Sequence, residues 1–417
     1  MSVSLKCKNY LKNISYYRLF IAIELVLTAV FLTLCVLWKG EPIYKVLPDF
    51  SHMYKDYFIH IGFASAPIGT NIYEFSHMTC FPPLAYLMYG FLARVVGYHA
   101  ENYDPGTDHQ SAGLNLTVFL VYNLICIVLL IYAVSLYAKK KGFVNMIVFP
   151  SLLILSYPIV FSSVYWGNSA FLVAILISIA LAWRDDPSKV KREAALVLIA
   201  ICAGLKIYPA VFGLLYLKEK RWAETLRLVI YGLILFFVPF AFFGGIAGFK
   251  SFFATLVSLY GTVNPCSING VTANIVRGAF GAKTELFAGI VQQLYLVFSL
   301  IAFFCVKNKR SEVLILCCLM TIYVSSNWMY TCVYLLPALL VFFAEHDGKP
   351  IQFRKGNIPD YLAFLMFLVV FSRPFALGGY QFIYIAICII ISLYNIVVIG
   401  AAIYRKWVIP ILVDDSQ

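Results

Sequence analysis

Charge is what this sequence has least of: 12% of its 417 residues are Asp, Glu, Lys or Arg, against 62% hydrophobic ones. That shortage excludes a water-soluble globular protein, because too little polar surface remains to cover the outside of the fold. Histidine is sparse, carboxylates form no dense cluster that would demand a metal, and the eleven cysteines fall inside apolar runs such as Cys317-Cys318 without metal-ligand spacing. They read as small buried hydrophobes. There is no Walker loop and no glycine-rich nucleotide fingerprint, since Gly244-Gly245 and Gly378-Gly379 are lone pairs of the kind that make turns. Direct coupling to ATP is therefore not expected, and no cofactor or metal is called for. An internal repeat is also lacking, and no stretch alternates apolar and polar residues as a membrane barrel requires.

What the chain does have is long apolar runs, recurring from Leu19 to the C-terminus. A hydrocarbon layer of roughly 30 Å takes about 20 apolar residues as helix, so the expected fold is all-α: a single membrane domain, a polytopic bundle of about twelve spans. The net charge of +12 is explained by membrane orientation rather than nucleic acid, because the Lys and Arg residues sit in short links between apolar segments.

Lys6, Lys8, Lys12 and Arg18 place the N-terminus inside, with 19–38 as the first outward span and no cleavage site of a secretory signal after it. Crossing again at Pro82 to Gly97 would put Lys139-Lys140-Lys141 outside. We therefore expect 39–113 to be one long external loop whose segment 82–98 is an interfacial helix, and 244–284 to be a second external loop. The remaining basic links, 184–192, 218–227, 307–310, 349–355 and Arg405-Lys406, then all fall inside. This requires the chain to turn back at the outer face near Lys206-Ile207-Tyr208-Pro209 and again near Ser325-Ser326-Asn327-Trp328. Such half-deep arms persist only where their polar tips line a protein-walled cavity. A single kinked span over 194–217 is the alternative.

Ionisable groups at membrane depth cost several kcal/mol unless paired or hydrated. Lys206 is either a lysine snorkelling to the interface or a cation facing an anionic substrate. Arg277 carries a planar fork suited to phosphate. Ser267 and Asn269 lie in a segment that also reads as ordinary turn chemistry, and Tyr165-Trp166-Gly167-Asn168 as an interfacial aromatic belt. In the first loop stand Asp49, which also suits a helix N-cap, then His52, Asp56 beside Lys55, and His77.

In order along the chain come Asp49-Phe50, Phe81-Pro82-Pro83-Leu84, Trp166-Gly167-Asn168-Ser169, Gly204-Leu205-Lys206-Ile207-Tyr208-Pro209, and Ser267-Ile268-Asn269-Gly270 with Arg277. Over about residues 19 to 345 this pattern resembles the GT-C superfamily of polyprenol-phosphate-sugar-dependent glycosyltransferases, nearest to family GT87, which includes mycobacterial glycolipid mannosyltransferases. The resemblance implies an enzyme of the plasma membrane with its site on the external face. It would move a hexose or pentose from a polyprenyl-phosphate donor to a hydroxyl of a glycolipid or cell-envelope glycan, with inversion. By the same resemblance Asp49 is the general base with Asp56 as rival. Lys206 and Arg277 hold the donor phosphate, and His52, Asn168, Tyr208, Ser267, Asn269, Trp328 and Tyr330 line the substrates. Tyr330 and Thr331 stand where some members carry histidine. The competing classes are a lipid-linked glycan flippase or exporter, disfavoured because such proteins show internal symmetry, and a glycan polymerase or ligase, which places its functional loop late in the chain.

Overall fold

The computed structural model describes residues 14–46, 54–95, 97, 113–260, 264, 266–280, 284–323, 329–351, 357–372 and 380–404. Among them the secondary structure is helical throughout, with no strand. The principal helices are α1 (Tyr16–Leu37), α2 (Lys55–Ala64), α3 (Pro83–Val95), α4 (Gly113–Tyr137), α5 (Ala170–Trp183), α6 (Lys189–Leu205), α7 (Gly213–Lys218) and α8 (Trp222–Phe237). They continue as α9 (Gly245–Tyr260), α10 (Ile268–Phe280), α11 (Thr284–Cys305), α12 (Lys309–Cys318), α13 (Leu336–Glu345), α14 (Ile358–Phe371) and α15 (Tyr380–Ile403).

Among the described residues, five helices are long and apolar enough to cross a membrane: 16–37, 116–137, 222–242, 284–305 and 382–403. A sixth is possible if the pair 144–154 and 157–165, bent by 59°, counts as one span. The bend falls at Ser156-Tyr157-Pro158, where proline removes a backbone donor and tilts the next turn. The expected figure of about twelve counted every shorter apolar arm as a span, and these arms do not reach crossing length. The long helices also differ in surroundings. Val26 and Leu32 on α1, Leu124 on α4, Leu226 on α8 and Ile396 on α15 are exposed, whereas every residue of α13 from Leu336 to Phe343 is buried. A shell of exposed aliphatic side chains around a packed interior suits lipid, not water.

The two expected reversals are present in outline. Helix α6 ends at Lys206, whose backbone is extended, and Pro209 starts a short 3-10 turn because it cannot continue the hydrogen-bond ladder. The chain then returns through α7. Both ends of this hairpin meet, since Arg184 before α6 pairs with Glu219 after α7 at 2.5 Å. The second hairpin, α12 to α13, closes the same way through Arg310 and Glu345 at 3.0 Å. Near its tip the arms exchange Thr331 Oγ1 to the Thr321 carbonyl at 3.1 Å; the tip itself, 324–328, lies outside the described residues.

Those basic links that are described share one end of the molecule. Asp185 accepts from Lys309 at 2.9 Å and Arg221 at 3.0 Å, Arg310 also pairs with Asp360 at 2.9 Å, and Lys139 reaches Asp347 at 4.0 Å. Burial raises the Asp185 carboxyl, but the Lys309 hydrogen bond and the Arg184 charge outweigh it and bring the group down to about 2. This clamp ties the bases of both hairpins together and leaves their tips at the other end.

Candidate active site

Helix α2 is fastened at its start to the break before α5. Tyr54 takes a left-handed conformation and donates its N–H to the Tyr165 carbonyl at 2.7 Å, and the Asp56 N–H donates to Trp166 at 3.0 Å. Gly167 makes this approach possible: its φ is +63°, and a Cβ there would fall 2.8 Å from Tyr57 Cβ. The following Asn168 is buried and oriented from both sides. Its Oδ1 accepts from the Ala170 N–H at 3.0 Å, so its Nδ2 is the group turned toward Asp56 Oδ2, at 2.6 Å. Burial pushes the Asp56 carboxyl up, while the Asn168 hydrogen bond and the charges of Lys206 and Lys55 pull it back. Its other oxygen has no hydrogen-bond partner among the described residues.

Opposite stands Lys206, buried at the tip of the first hairpin. Its Nζ lies 3.3 Å from the centre of the Phe81 ring and 5.6 Å from that of Tyr330, at the start of the second hairpin's returning arm. Among the described residues no carboxylate comes within ion-pair distance of it, and its charge is felt by Asp56. Cys80 is beside them. Burial raises its thiol to about 11 against the pull of Lys206, which keeps it protonated and unreactive.

The structure therefore brings together Asp56, Asn168, Lys206 and Tyr330 from four separated parts of the chain, with Tyr208 close behind against Tyr334 at 6.4 Å. Asp49, His52 and Trp328 lie outside the described residues, as does Ser325. Ser267 and Asn269 are buried and hydrogen-bond each other; Ser267 Oγ also donates to the Asn264 carbonyl at 2.6 Å, and Gly270 N–H donates to Asn269 Oδ1 at 2.8 Å. These bonds fasten the start of α10, which is the turn chemistry of that segment. Arg277 is exposed near the end of α10 and forms no hydrogen bond or ion pair with a described residue. His77 is exposed, in the loop before α3.

Two residues escaped the sequence reading. His60 is buried one turn after Asp56 on α2, its Nδ1 3.2 Å from the Tyr86 hydroxyl and its ring centre 3.9 Å from that of Phe81. The i, i+4 spacing from Asp56 was the available signal. Phe81 had been noted only as part of a motif.

An apolar groove of about 440 Å³ runs between α6, α7 and α8, lined by Ile199, Ala203, Ile207, Gly213, Gly232 and Phe236. Ile207, the residue after Lys206 in sequence, is one of its lining residues. Among the described residues no three His, Cys, Asp or Glu side chains converge in a way that could hold a metal ion. A carboxylate with one oxygen that no described residue pairs, a fixed amide, a cation that no described carboxylate pairs and a neighbouring apolar channel can activate a hydroxyl and bind an anion attached to a lipid.

The chain matches the model of glycosyltransferase family 87 over residues 81–344, well over half of its length. It belongs to that family. No curated protein and no solved structure matches it. As a family 87 glycosyltransferase with several membrane-crossing helices, it places Phe81, Asn168, Lys206 and Tyr330 inside the matched region, whereas Asp49 and Asp56 both precede it. The choice of base therefore depends on geometry rather than on the family match.

Proposed function

We propose that this protein transfers a hexose or pentose from a polyprenyl-phosphate donor to a hydroxyl of a glycolipid or cell-envelope glycan, with inversion at the anomeric carbon. Asp56 is the general base. It removes the acceptor hydroxyl proton as that oxygen attacks the anomeric carbon, and the bond from that carbon to the phosphate oxygen breaks on the opposite face. Lys206 stabilises the charge that grows on the departing lipid phosphate. Asn168 holds Asp56 through one oxygen and leaves the other for the acceptor. Tyr330 and Tyr208 form the aromatic wall on which a sugar can rest.

The observation that carries this reading is the meeting, at the tips of two hairpins, of Asp56, Asn168 and a Lys206 that no described carboxylate neutralises. The lipid nature of the donor is supported by the apolar groove that starts at Ile207. Orientation follows from charge: the basic clamp belongs at the cytoplasmic face, so the pocket opens on the external side of the plasma membrane.

The test is transfer by purified protein from a panel of polyprenyl-phosphate sugars to membrane-extract acceptors, comparing wild type with Asp56→Asn, Asp49→Asn and Lys206→Ala. Loss with Asp56→Asn and survival with Asp49→Asn supports the assignment. The reverse pattern moves the base to Asp49, and full activity in Lys206→Ala removes the phosphate site.

A further inference from the structure

A buried lysine with no carboxylate at ion-pair distance among the described residues needs something else to hold it. For Lys206 that something is the face of Phe81, and the ring is itself unusually constrained. Its backbone carbonyl accepts from the Tyr73 hydroxyl at 3.2 Å, two prolines follow it, and the imidazole of His60 lies against it at 3.9 Å between centres. His60 is in turn fixed by the Tyr86 hydroxyl at 3.2 Å. Facing His60 from the packed elements are Lys206, Tyr86 and Tyr89, with Phe63 and Asp56 on its own helix. Burial and the Lys206 charge keep its imidazole well below the ordinary histidine range, so it stands neutral behind the ring.

We propose that Phe81, braced by His60 and Tyr73, is the positioning residue for Lys206, holding the ammonium by its ring face so that the donor phosphate is the first anion to neutralise it. A carboxylate in that place would also hold the lysine but would cancel the charge the substrate needs. The quadrupole of an aromatic face attracts a cation and leaves its charge available. The inference rests on the donor-phosphate role of Lys206 proposed above.

The experiment measures binding of decaprenyl phosphate and of decaprenol to the full-length protein in detergent, and takes the ratio of the two affinities as the phosphate contribution. Loss of mere packing lowers both affinities together and leaves the ratio alone. Lys206→Ala is expected to collapse the ratio. Phe81→Leu should reduce it about tenfold, an effect of the size of one desolvated cation–π contact, and Phe81→Trp should keep it near wild type. Replacing Phe81 by di- and trifluorinated phenylalanine, which keeps the shape and drains the ring face, should lower the ratio in steps even if Phe81→Leu does not fold. An unchanged ratio in Lys206→Ala defeats the underlying donor site. A collapsed ratio in Lys206→Ala with no graded response at Phe81 defeats this inference alone.

Discussion

Asp56 Oδ2 accepts a 2.6 Å hydrogen bond from Asn168 Nδ2 across 112 residues of sequence, and the amide is held in that orientation by the Ala170 N–H. The pair joins a helix of the first loop to the break that precedes α5. Because the interaction ties up one carboxylate oxygen and leaves the other open, it suits a group that must receive a proton. Asp56→Asn keeps the size and loses the basicity. We expect kcat to fall by roughly 10² to 10⁴, the range for positioned acid–base groups, with gel-filtration behaviour unchanged. Transfer at more than a tenth of the wild-type rate would rule Asp56 out as base.

The pH profile gives a second reading of the same carboxyl. Burial raises its pKa above the ordinary aspartate value of about 3.9, so the acid limb of kcat should lie above that value, with activity rising as the proton leaves. Asn168→Ala removes an interaction that favours the charged form and should move the limb further up. Stability runs the other way. The folded state holds this proton more tightly than the unfolded chain, so this group's contribution to stability falls as pH rises from the unfolded value through the folded one. An acid limb in Asn168→Ala at or below that of wild type would contradict the assignment.

How much of this was legible beforehand depends on what each signal measures. The hairpins were legible because positive charge follows orientation, and the links at 184–192, 218–227, 307–310 and 349–355 could share one side only if the chain turned back at Lys206 and near Ser325. Arg184 with Glu219 and Arg310 with Glu345 close those loops. Span length was less legible, since apolar composition does not distinguish an arm buried in protein, such as α13, from one that crosses lipid. Lys206 and Asn168 stood out as polar residues in apolar surroundings. The ranking of Asp49 over Asp56 rested on a neighbour: Lys55 adjoins Asp56 in sequence and looked like its surface partner. Successive residues on a helix point about 100° apart, and the side chain that binds Asp56 comes from Asn168, a contact no local pattern encodes.

Gly167 connects fold and chemistry. Its positive φ and the 2.8 Å approach of Tyr57 Cβ leave no room for a side chain. Gly167→Ala should cost about 1 to 3 kcal/mol through backbone strain and shift Asn168 away from Asp56. The expected outcome is a lowered melting temperature together with a kcat loss resembling that of Asn168→Ala. A variant with wild-type kcat would mean the turn does not set the amide.

The groove can be tested apart from the catalytic groups. A Cβ on Gly232 meets nothing within 4 Å, so Gly232→Trp should fill the channel without disturbing the bundle. Transfer from a long-chain polyprenyl donor should weaken about tenfold, the scale of losing burial of about two methylene groups at roughly 0.8 kcal/mol per CH₂. A donor of two isoprene units should be used as well as by wild type. Equal losses for both lengths would show that the chain of the donor lies elsewhere.

Orientation is the last point, and it follows from the separation of charge along the molecule. Val190 lies in the basic link at the start of α6 and is exposed; Ile68, just past the end of α2, is exposed on the pocket side, where Gly69 N–H donates to the Phe242 carbonyl at 2.9 Å. If the basic clamp is held at the cytoplasmic face, Val190→Cys should react with a membrane-impermeant thiol reagent only after the membrane is opened, and Ile68→Cys should react in intact cells. The opposite pattern would put Asp56 and Lys206 on the cytoplasmic side, and a donor presented at the external surface could then not reach them.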